Sequence, residues 1–211
     1  MTQTWLSRQA EFRAKRIERK WRSIAQRLPH SADGKVLLHI GCGDIDAPGF
    51  INIDARSKQH VHIVTTSLFK LDMIPSGTAD LIYMSHVLEH VGHRHTVETL
   101  REMHRVLKGN GVLRISVPDF DKIVSIYLEN NRDLACVEGA LMGGQDYPFN
   151  FHYSTFNQTN LAAKLVDTGF LFVRNWDPEK VEHHNFDDWA STGLNIRGIA
   201  YPISLNIEAV K

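Results

Sequence analysis

Short apolar runs separated by polar turns recur along this chain, and they predict alternating strands and helices. Continuous or alternating apolar runs predict strands over 35–41, 50–54, 60–65, 80–84, 112–117, 170–173 and 203–210. Apolar residues spaced three or four positions apart predict helices over 5–28, 97–107, 121–128 and 159–168. This alternation indicates an α/β fold, with an open, mostly parallel sheet and helices on both faces.

The connection between the first two predicted strands is unusually short. Only residues 42–49 separate them, and Pro48 and Gly49 discourage a helix in this stretch. Parallel neighbours normally need a crossover of about a dozen residues, so we predict a loop where a helix would usually lie. We also expect the N-terminal helix to cover part of the sheet face that this missing helix leaves open.

The N-terminal segment is basic in a chain of zero net charge. Residues 1–30 hold eight Lys and Arg against two Glu, a net charge of +6, and the remainder carries −6. We predict a basic amphipathic helix within 1–30 that packs on a single domain spanning 31–211. Its polar face is expected in solvent, and contact with an anionic membrane surface is the alternative. A nucleic-acid partner is not expected.

Composition favours a soluble cytoplasmic protein. The 211 residues suit one domain, and no apolar run approaches the roughly 20 residues that span a bilayer. The N-terminus lacks the apolar core of a signal peptide. Cys42 and Cys136 match no disulfide or metal framework.

The first strand ends in a glycine turn that is typical of nucleoside binding. Gly41-Cys42-Gly43 follows the apolar run, and the second strand then delivers Asp54. Such a turn lets a ligand lie against backbone, while the carboxylate binds sugar hydroxyls. A dinucleotide is disfavoured, because its pyrophosphate needs a helix N-terminus that this chain lacks here. The third glycine of the dinucleotide pattern is also missing.

A second motif follows the strand over 80–84. His86, Glu89 and His90 fit the His-x-x-Glu-His pattern, in which two histidines bind zinc and the glutamate activates water. That pattern requires a helix interior, whereas this one begins where a strand ends. Zinc hydrolysis is therefore a minor alternative, and we predict no metal site. Ligands of open α/β sheets bind beyond the carboxyl ends of strands, so several polar residues are expected to share one crevice. They are Gly41, Asp54, Ser67, His86 and Asp119.

Five segments occur in a characteristic order, namely 39–43, 50–54, 80–91, 100–111 and 116–119. Their order and residues resemble the class I S-adenosylmethionine-dependent methyltransferases, and most closely a bacterial branch linked to sugar and surface-polysaccharide modification. The resemblance implies a Rossmann-like seven-stranded sheet whose last strand, 203–210, runs antiparallel. It also implies S-adenosylmethionine as the cofactor.

The resemblance further implies a cofactor pocket on matching positions. The glycine turn would pass under the methionine part, Asp54 would bind the ribose hydroxyls, and Ser67 and Leu68 would border the adenine. The candidate cofactor residues are His39, Gly41, Cys42, Gly43, Asp54, Ala55, Ser67, Leu68, Ser85 and His86. Ser67 departs from many relatives, which place an aspartate there.

Methyl transfer to a hydroxyl requires a base near the acceptor. Histidine is the usual base near neutral pH, so His90 and His152 are the first catalytic candidates and Asp119 is a third. Residues 145–157 combine aromatic and hydrogen-bonding side chains, which suits a sugar. We predict O-methylation of a sugar or sugar-linked intermediate such as a nucleotide sugar. The alternative is a non-catalytic cofactor-binding module, against which the intact glycines and Asp54 argue.

Overall fold

The computed structural model describes the backbone of residues 2–211 and the side chains of residues 8–211. The helices are α1 (Thr2–Ala25), α2 (Thr96–Val106), α3 (Phe120–Glu129), α4 (Glu138–Met142) and α5 (Gln158–Asp167). The strands before α3 are β1 (Leu37–Ile40), β2 (Phe50–Asp54), β3 (Ile63–Val64), β4 (Ala79–Ser85) and β5 (Leu107–Pro118). The later strands are β6 (Leu171–Asn175), β7 (Gly193–Ile196), β8 (Ile199–Pro202) and β9 (Ser204–Val210).

Seven strands form one sheet in the order β3-β2-β1-β4-β5-β9-β6, and β7 pairs with β8 in a separate hairpin. The strands β1 to β5 run parallel, whereas β9 is antiparallel to both β5 and β6. The predicted mostly parallel sheet with an antiparallel last strand is confirmed. The strand order reverses between β1 and β4, and ligands of open α/β sheets bind at the carboxyl ends beside such a point.

One face of the sheet carries the larger apolar core. Alternate residues of the central strands, such as Leu38 and Ile82, pack there against α2 and α5. Leu100 of α2 and Leu161 of α5 are fully buried in this core. Each such side chain contributes roughly 1.5–3 kcal/mol by leaving water. This packing fixes β1 and β4 and therefore the positions of the loops at their carboxyl ends.

The opposite face is covered by an irregular segment. Leu37, Phe50 and Tyr83 pack there against Trp176 and Ala190. Residues 41–49 form a loop, as predicted from their length. Right-handed crossovers place the missing β1–β2 helix on this face, opposite α2. The 176–190 segment therefore fills the space that the absent helix leaves.

Helix α1 packs elsewhere than predicted. Its described residue Trp21, together with Leu28 just beyond the helix, lies against the larger core, and Arg13 forms an ion pair with Asp72 at 2.7 Å. The expectation that α1 covers the open face is therefore wrong, because the 176–190 segment occupies that face. No helix in the part of the chain that the structure describes is long and apolar enough to cross a bilayer. Membrane contact through α1, and the division at residue 30, stay predictions.

Candidate active site

A cavity of about 920 Å³ opens at the carboxyl ends of β1, β2 and β4. Ligand pockets usually measure about 300–1,000 Å³, so this one has room for a nucleoside and a second small molecule. Eleven of the predicted site residues line it. They are His39, Gly41, Cys42, Gly43, Asp54, Ala55, Leu68, Ser85, His86, His90 and His152.

The glycine turn requires glycine at Gly41 for two reasons. Its φ is +67°, a left-handed conformation that side chains disfavour. A Cβ atom at this position would also lie 2.3 Å from Cγ2 of Val87. The Gly41 N–H donates to the carbonyl of Ile53 at 2.7 Å, which ties the turn to the end of β2. The turn therefore presents backbone to the cavity at a fixed place.

Asp54 is held from two sides at the end of β2. Its Oδ2 accepts from the Gly43 N–H at 2.9 Å, and its Oδ1 accepts from the Arg56 N–H at 2.8 Å. The Arg56 Nε also lies 3.3 Å from Oδ1. The residue is only 8% exposed, but it lines the cavity. Each carboxylate oxygen can accept about two hydrogen bonds, so Oδ2 keeps capacity for a ligand hydroxyl.

Two predicted residues lie outside the cavity wall. Asp119 begins α3, where its carboxylate accepts from the Asp121 N–H at 3.1 Å and caps the helix. That role follows from its place between a strand and a helix. Ser67 donates its backbone N–H to Thr65 Oγ1 at 3.2 Å, and its neighbours Thr66 and Leu68 line the cavity instead.

The His-x-x-Glu-His segment forms a single 3-10 turn over Leu88–His90. The pattern of zinc hydrolases needs a longer helix, so this hypothesis loses its structural basis. Instead, His152 comes from the distant 145–157 segment to join Glu89 and His90. One potential ligand atom from each of these three residues lies within 4.8 Å of the others. The sequence could not show this grouping, because it depends on how the later loop folds back.

Glu89 is the buried centre of this cluster. It is 1% exposed, and its Oε1 lies 3.3 Å from His86 Nδ1 and 4.0 Å from His152 Nε2. Burial alone would raise the pKa of Glu89, but contact with His86 and the charges of the other histidines outweigh it and lower this pKa below its ordinary value. Burial lowers the pKa of His152, which favours its neutral form. The Glu89 carboxyl group therefore lies among three imidazole rings.

His39 forms another wall of the cavity. It is 1% exposed and stacks on Phe186, with ring centroids 5.7 Å apart. Burial lowers the pKa of His39 to about 4, so it is neutral at physiological pH. Its Nδ1 has no hydrogen-bond partner among the described residues. Beside it, the Tyr83 hydroxyl donates to Asp188, which anchors the 176–190 segment over the sheet.

The segment before β7 adds further residues to the wall. The run of aromatic and polar side chains over 183–189 suggested a second acceptor-facing loop or a weak metal site, and Asp188 and Trp189 of this run line the cavity. Thr192, just beyond the run, also lines it and was not expected from the sequence. This run does not show where the segment lies, however, because nothing in the local sequence indicates which edge of the sheet the segment crosses.

Cys42 is expected to resist alkylation in the native protein. It is buried, and burial raises the pKa of its thiol to about 12, so little thiolate forms at pH 8. Cys136 is only partly buried and should react first. Iodoacetamide labelling at pH 8, followed by peptide mass spectrometry, should show modified Cys136 and unmodified Cys42 until denaturant is added. Equal labelling of both residues in native protein would contradict this expectation, and Cys136→Ser provides the control.

Known proteins resemble this chain in sequence. Residues 38–115, which hold the glycine turn, β2 to β4 and most of β1 and β5, match the family model described as Methyltransferase domain. Over these residues the chain is similar to that family. Two Mycobacterium tuberculosis strains each have a relative named a probable S-adenosylmethionine-dependent methyltransferase, 25% identical over 74% of this chain. The chain spans 56% of the length of these relatives.

Solved structures share the fold of this chain. An S-adenosylmethionine-dependent methyltransferase of Archaeoglobus fulgidus aligns with a TM-score of 0.53 and 16% identity, covering 94% of each chain. One from Thermotoga maritima aligns with a TM-score of 0.52 and 14% identity, covering 99% of this chain and 97% of its own. The relatives and both of these solved structures are named as S-adenosylmethionine-dependent. The residues of this chain fit that cofactor, since the glycine turn and the partly free Asp54 carboxylate lie together on one cavity.

Proposed function

We propose that this protein transfers a methyl group from S-adenosylmethionine to a hydroxyl of a small polar molecule. The acceptor class that we propose is a sugar or a sugar-linked intermediate such as a nucleotide sugar. One observation carries this proposal: the same cavity reaches from the glycine turn and Asp54 to His90 and His152. A cofactor and an acceptor bound in it would therefore lie side by side.

The cofactor end of the cavity is assigned to the residues after β1 and β2. Gly41 and Gly43 would lie under the methionine part, and Asp54 would accept hydrogen bonds from the ribose hydroxyls. Leu68 would border the adenine, and Ser85 and His86 would close the pocket. These positions all line the cavity, as does Thr66, whereas Ser67 does not.

The acceptor end is assigned to the 145–157 segment. Tyr147, Phe149, Asn150 and Tyr153 line the cavity there, and the Arg56 guanidinium lies 4.7 Å from the centre of the Tyr147 ring. Aromatic faces can cover the apolar faces of a sugar while amide and hydroxyl groups bind its oxygens. This composition supports a polar, ring-shaped acceptor more than an apolar one.

Bound S-adenosylmethionine supplies a methyl group that its positive sulfur has already activated. The protein therefore has to align the acceptor and accept its proton. His90 Nδ1 lies 3.0 Å from the carbonyl of Phe151, and His152 Nδ1 lies 3.1 Å from that of Ala140. Carbonyls only accept, so Nδ1 carries the proton in both neutral rings and Nε2 keeps a lone pair. Either Nε2 can take the proton of the acceptor hydroxyl.

The proposal is tested in two steps on the full chain. Calorimetric titration should show binding of S-adenosylmethionine and S-adenosylhomocysteine, and mass spectrometry should show methylation within a panel of nucleotide sugars. The double variant His90→Ala/His152→Ala should lose roughly 10²- to 10⁴-fold in turnover, because it lacks both proposed bases, while its cofactor affinity stays within a few-fold. The exposed His30→Ala is the matched control.

Two results would contradict the proposal. Failure of the native protein to bind S-adenosylmethionine would remove the reaction itself. Full turnover by the double variant would remove His90 and His152 as bases. The cytoplasmic location and the lack of a nucleic-acid partner stay predictions from sequence.

A further inference from the structure

We propose that Glu89, His90 and His152 bind a divalent transition-metal ion of the zinc class in the wall of the cavity. Two imidazoles and one carboxylate form a donor set that suits zinc and its neighbours in the first transition row. The ion can bind whether or not the proposed reaction takes place. Only a role of the ion in holding an acceptor oxygen rests on the proposed function.

The spacing of the three residues is close to that of a bound site. Their potential ligand atoms lie within 4.8 Å of one another, and Glu89 Oε1 is 4.0 Å from His152 Nε2. Ligand atoms at about 2.0–2.2 Å from a zinc ion lie at most about 4.4 Å apart. Small side-chain rotations therefore complete the site.

The outer contacts of both histidines also match those of metal ligands. Metal-binding histidines usually donate their second ring N–H to a carbonyl or carboxylate, which fixes the orientation and tautomer of the ring. His90 makes this contact with Phe151 O, and His152 makes it with Ala140 O. Both contacts are to backbone, so the two rings are held in place before any ion binds.

Glu89 supplies the second and independent observation. Neither of its carboxylate oxygens has a hydrogen-bond donor among the described residues, although the residue is 1% exposed. A buried carboxyl group without a hydrogen-bond partner is costly, so a ligand that pairs with it would stabilise the site. A cation at this position would satisfy Glu89 and both histidines together.

His86 does not provide the missing donor in its neutral form. The Ser204 hydroxyl donates to the carbonyl of Trp189, so its oxygen accepts from His86 Nε2 at 2.8 Å. That assignment leaves a lone pair on His86 Nδ1, which lies 3.3 Å from Glu89 Oε1. With His86 in its neutral form, lone pairs of His86, His90 and His152 lie beside the Glu89 carboxylate. Such a group of electron-rich atoms attracts a positive charge.

Three protein ligands leave at least one coordination position free, as in catalytic rather than structural zinc sites. His90 and His152 both line the cavity, so that position is accessible from the acceptor end. A bound ion would occupy the Nε2 lone pairs, so neither imidazole would then act as the base. An acceptor hydroxyl held on the ion would have a lowered pKa and would release its proton to water in the open cavity. Metal and base compete for the same Nε2 lone pairs, and measurement of metal binding distinguishes them.

The test is metal binding by the full chain after treatment with EDTA and dialysis. Titration with Zn²⁺, and with Co²⁺ as a spectroscopic probe, should give one ion per chain and the visible absorption bands of Co²⁺ bound by nitrogen and oxygen. Glu89→Gln keeps the shape but removes the charge, and His152→Ala removes one ligand. Each should weaken binding at least tenfold, whereas the exposed His30→Ala should not change it.

Each outcome decides the inference. Native protein that binds no Zn²⁺ or Co²⁺ at 1:1 overturns it, and it would indicate that a shared proton compensates Glu89. Unchanged metal affinity in both variants also overturns it. If Glu89→Gln does not fold, His152→Ala and the Co²⁺ spectrum still give the answer.

S-adenosylmethionine titration is run in parallel. Cofactor binding without metal binding overturns only this inference. Metal binding without cofactor binding overturns only the proposed function.

Discussion

Replacing Asp54 with alanine is expected to weaken S-adenosylmethionine binding by roughly 100-fold. Hydrogen bonds to a charged group contribute about 1.5–3 kcal/mol, and tenfold in affinity corresponds to about 1.4 kcal/mol. The variant loses the proposed contact with the ribose hydroxyls. It also loses the acceptor for the Gly43 and Arg56 N–H groups, which hold the glycine turn in place. Isothermal titration calorimetry measures the change directly.

Asp54→Asn separates these two contributions. Its amide keeps one oxygen as an acceptor, so the loop retains part of its support and the loss of affinity should be smaller than for alanine. Asp167→Ala is the matched control, since Asp167 is an exposed carboxylate on α5, away from the cavity wall. Binding by Asp54→Ala within twofold of native protein, with circular dichroism unchanged, would refute the assignment of Asp54 to the ribose.

The parts of the site that sequence predicted are those set by local pattern. The apolar run before Gly41 forms β1, and the short link to β2 forms a loop because it has no room for a helix. Strand ends in a parallel sheet share an edge, so Gly41, Asp54 and His86 were expected together and are found on one cavity. These inferences need only the chain direction and the side-chain period of a strand.

The parts that sequence did not predict depend on contacts between distant segments. The packing of Phe186 on His39, and the approach of His152 to Glu89, follow from how two long loops fold back over the sheet. Asp119 illustrates the opposite case: its position after β5 suggested the crevice, but the start of α3 uses its carboxylate as a cap. A local helix-capping preference prevailed over the general rule for strand ends.

Replacing Glu208 with alanine is expected to lower the free energy of unfolding by about 3–5 kcal/mol, because it leaves a buried charge without its partner. Glu208 on β9 is 3% exposed, and its Oε2 accepts from Arg114 Nε at 2.7 Å. Arg114 is itself 8% exposed on the neighbouring strand β5. Urea denaturation followed by circular dichroism measures the loss, and the exposed Glu129→Ala is the matched control.

Acid should reproduce part of this effect in the native protein. Burial alone would raise the pKa of Glu208, but the hydrogen bonds from Arg114 and Arg174 have the larger effect. The pKa of Glu208 in the folded protein therefore lies below the ordinary value of 4.5. A carboxyl group with a depressed folded pKa stabilises the protein fully above its unfolded pKa and loses that contribution as pH falls through the folded pKa. The stability difference between native protein and Glu208→Ala should therefore be constant near neutral pH and shrink below about pH 4.5.

Two further variants test whether the buried pair is the cause. Arg174→Ala should cost much less than Glu208→Ala, because the Arg174 side chain is 71% exposed and its ion pair is largely screened. The double variant Arg114→Met/Glu208→Leu should recover most of the loss, since it removes both buried charges and fills the space with apolar groups. A double variant as unstable as Glu208→Ala would show that packing around β9, rather than the unpaired Arg114 charge, sets the cost.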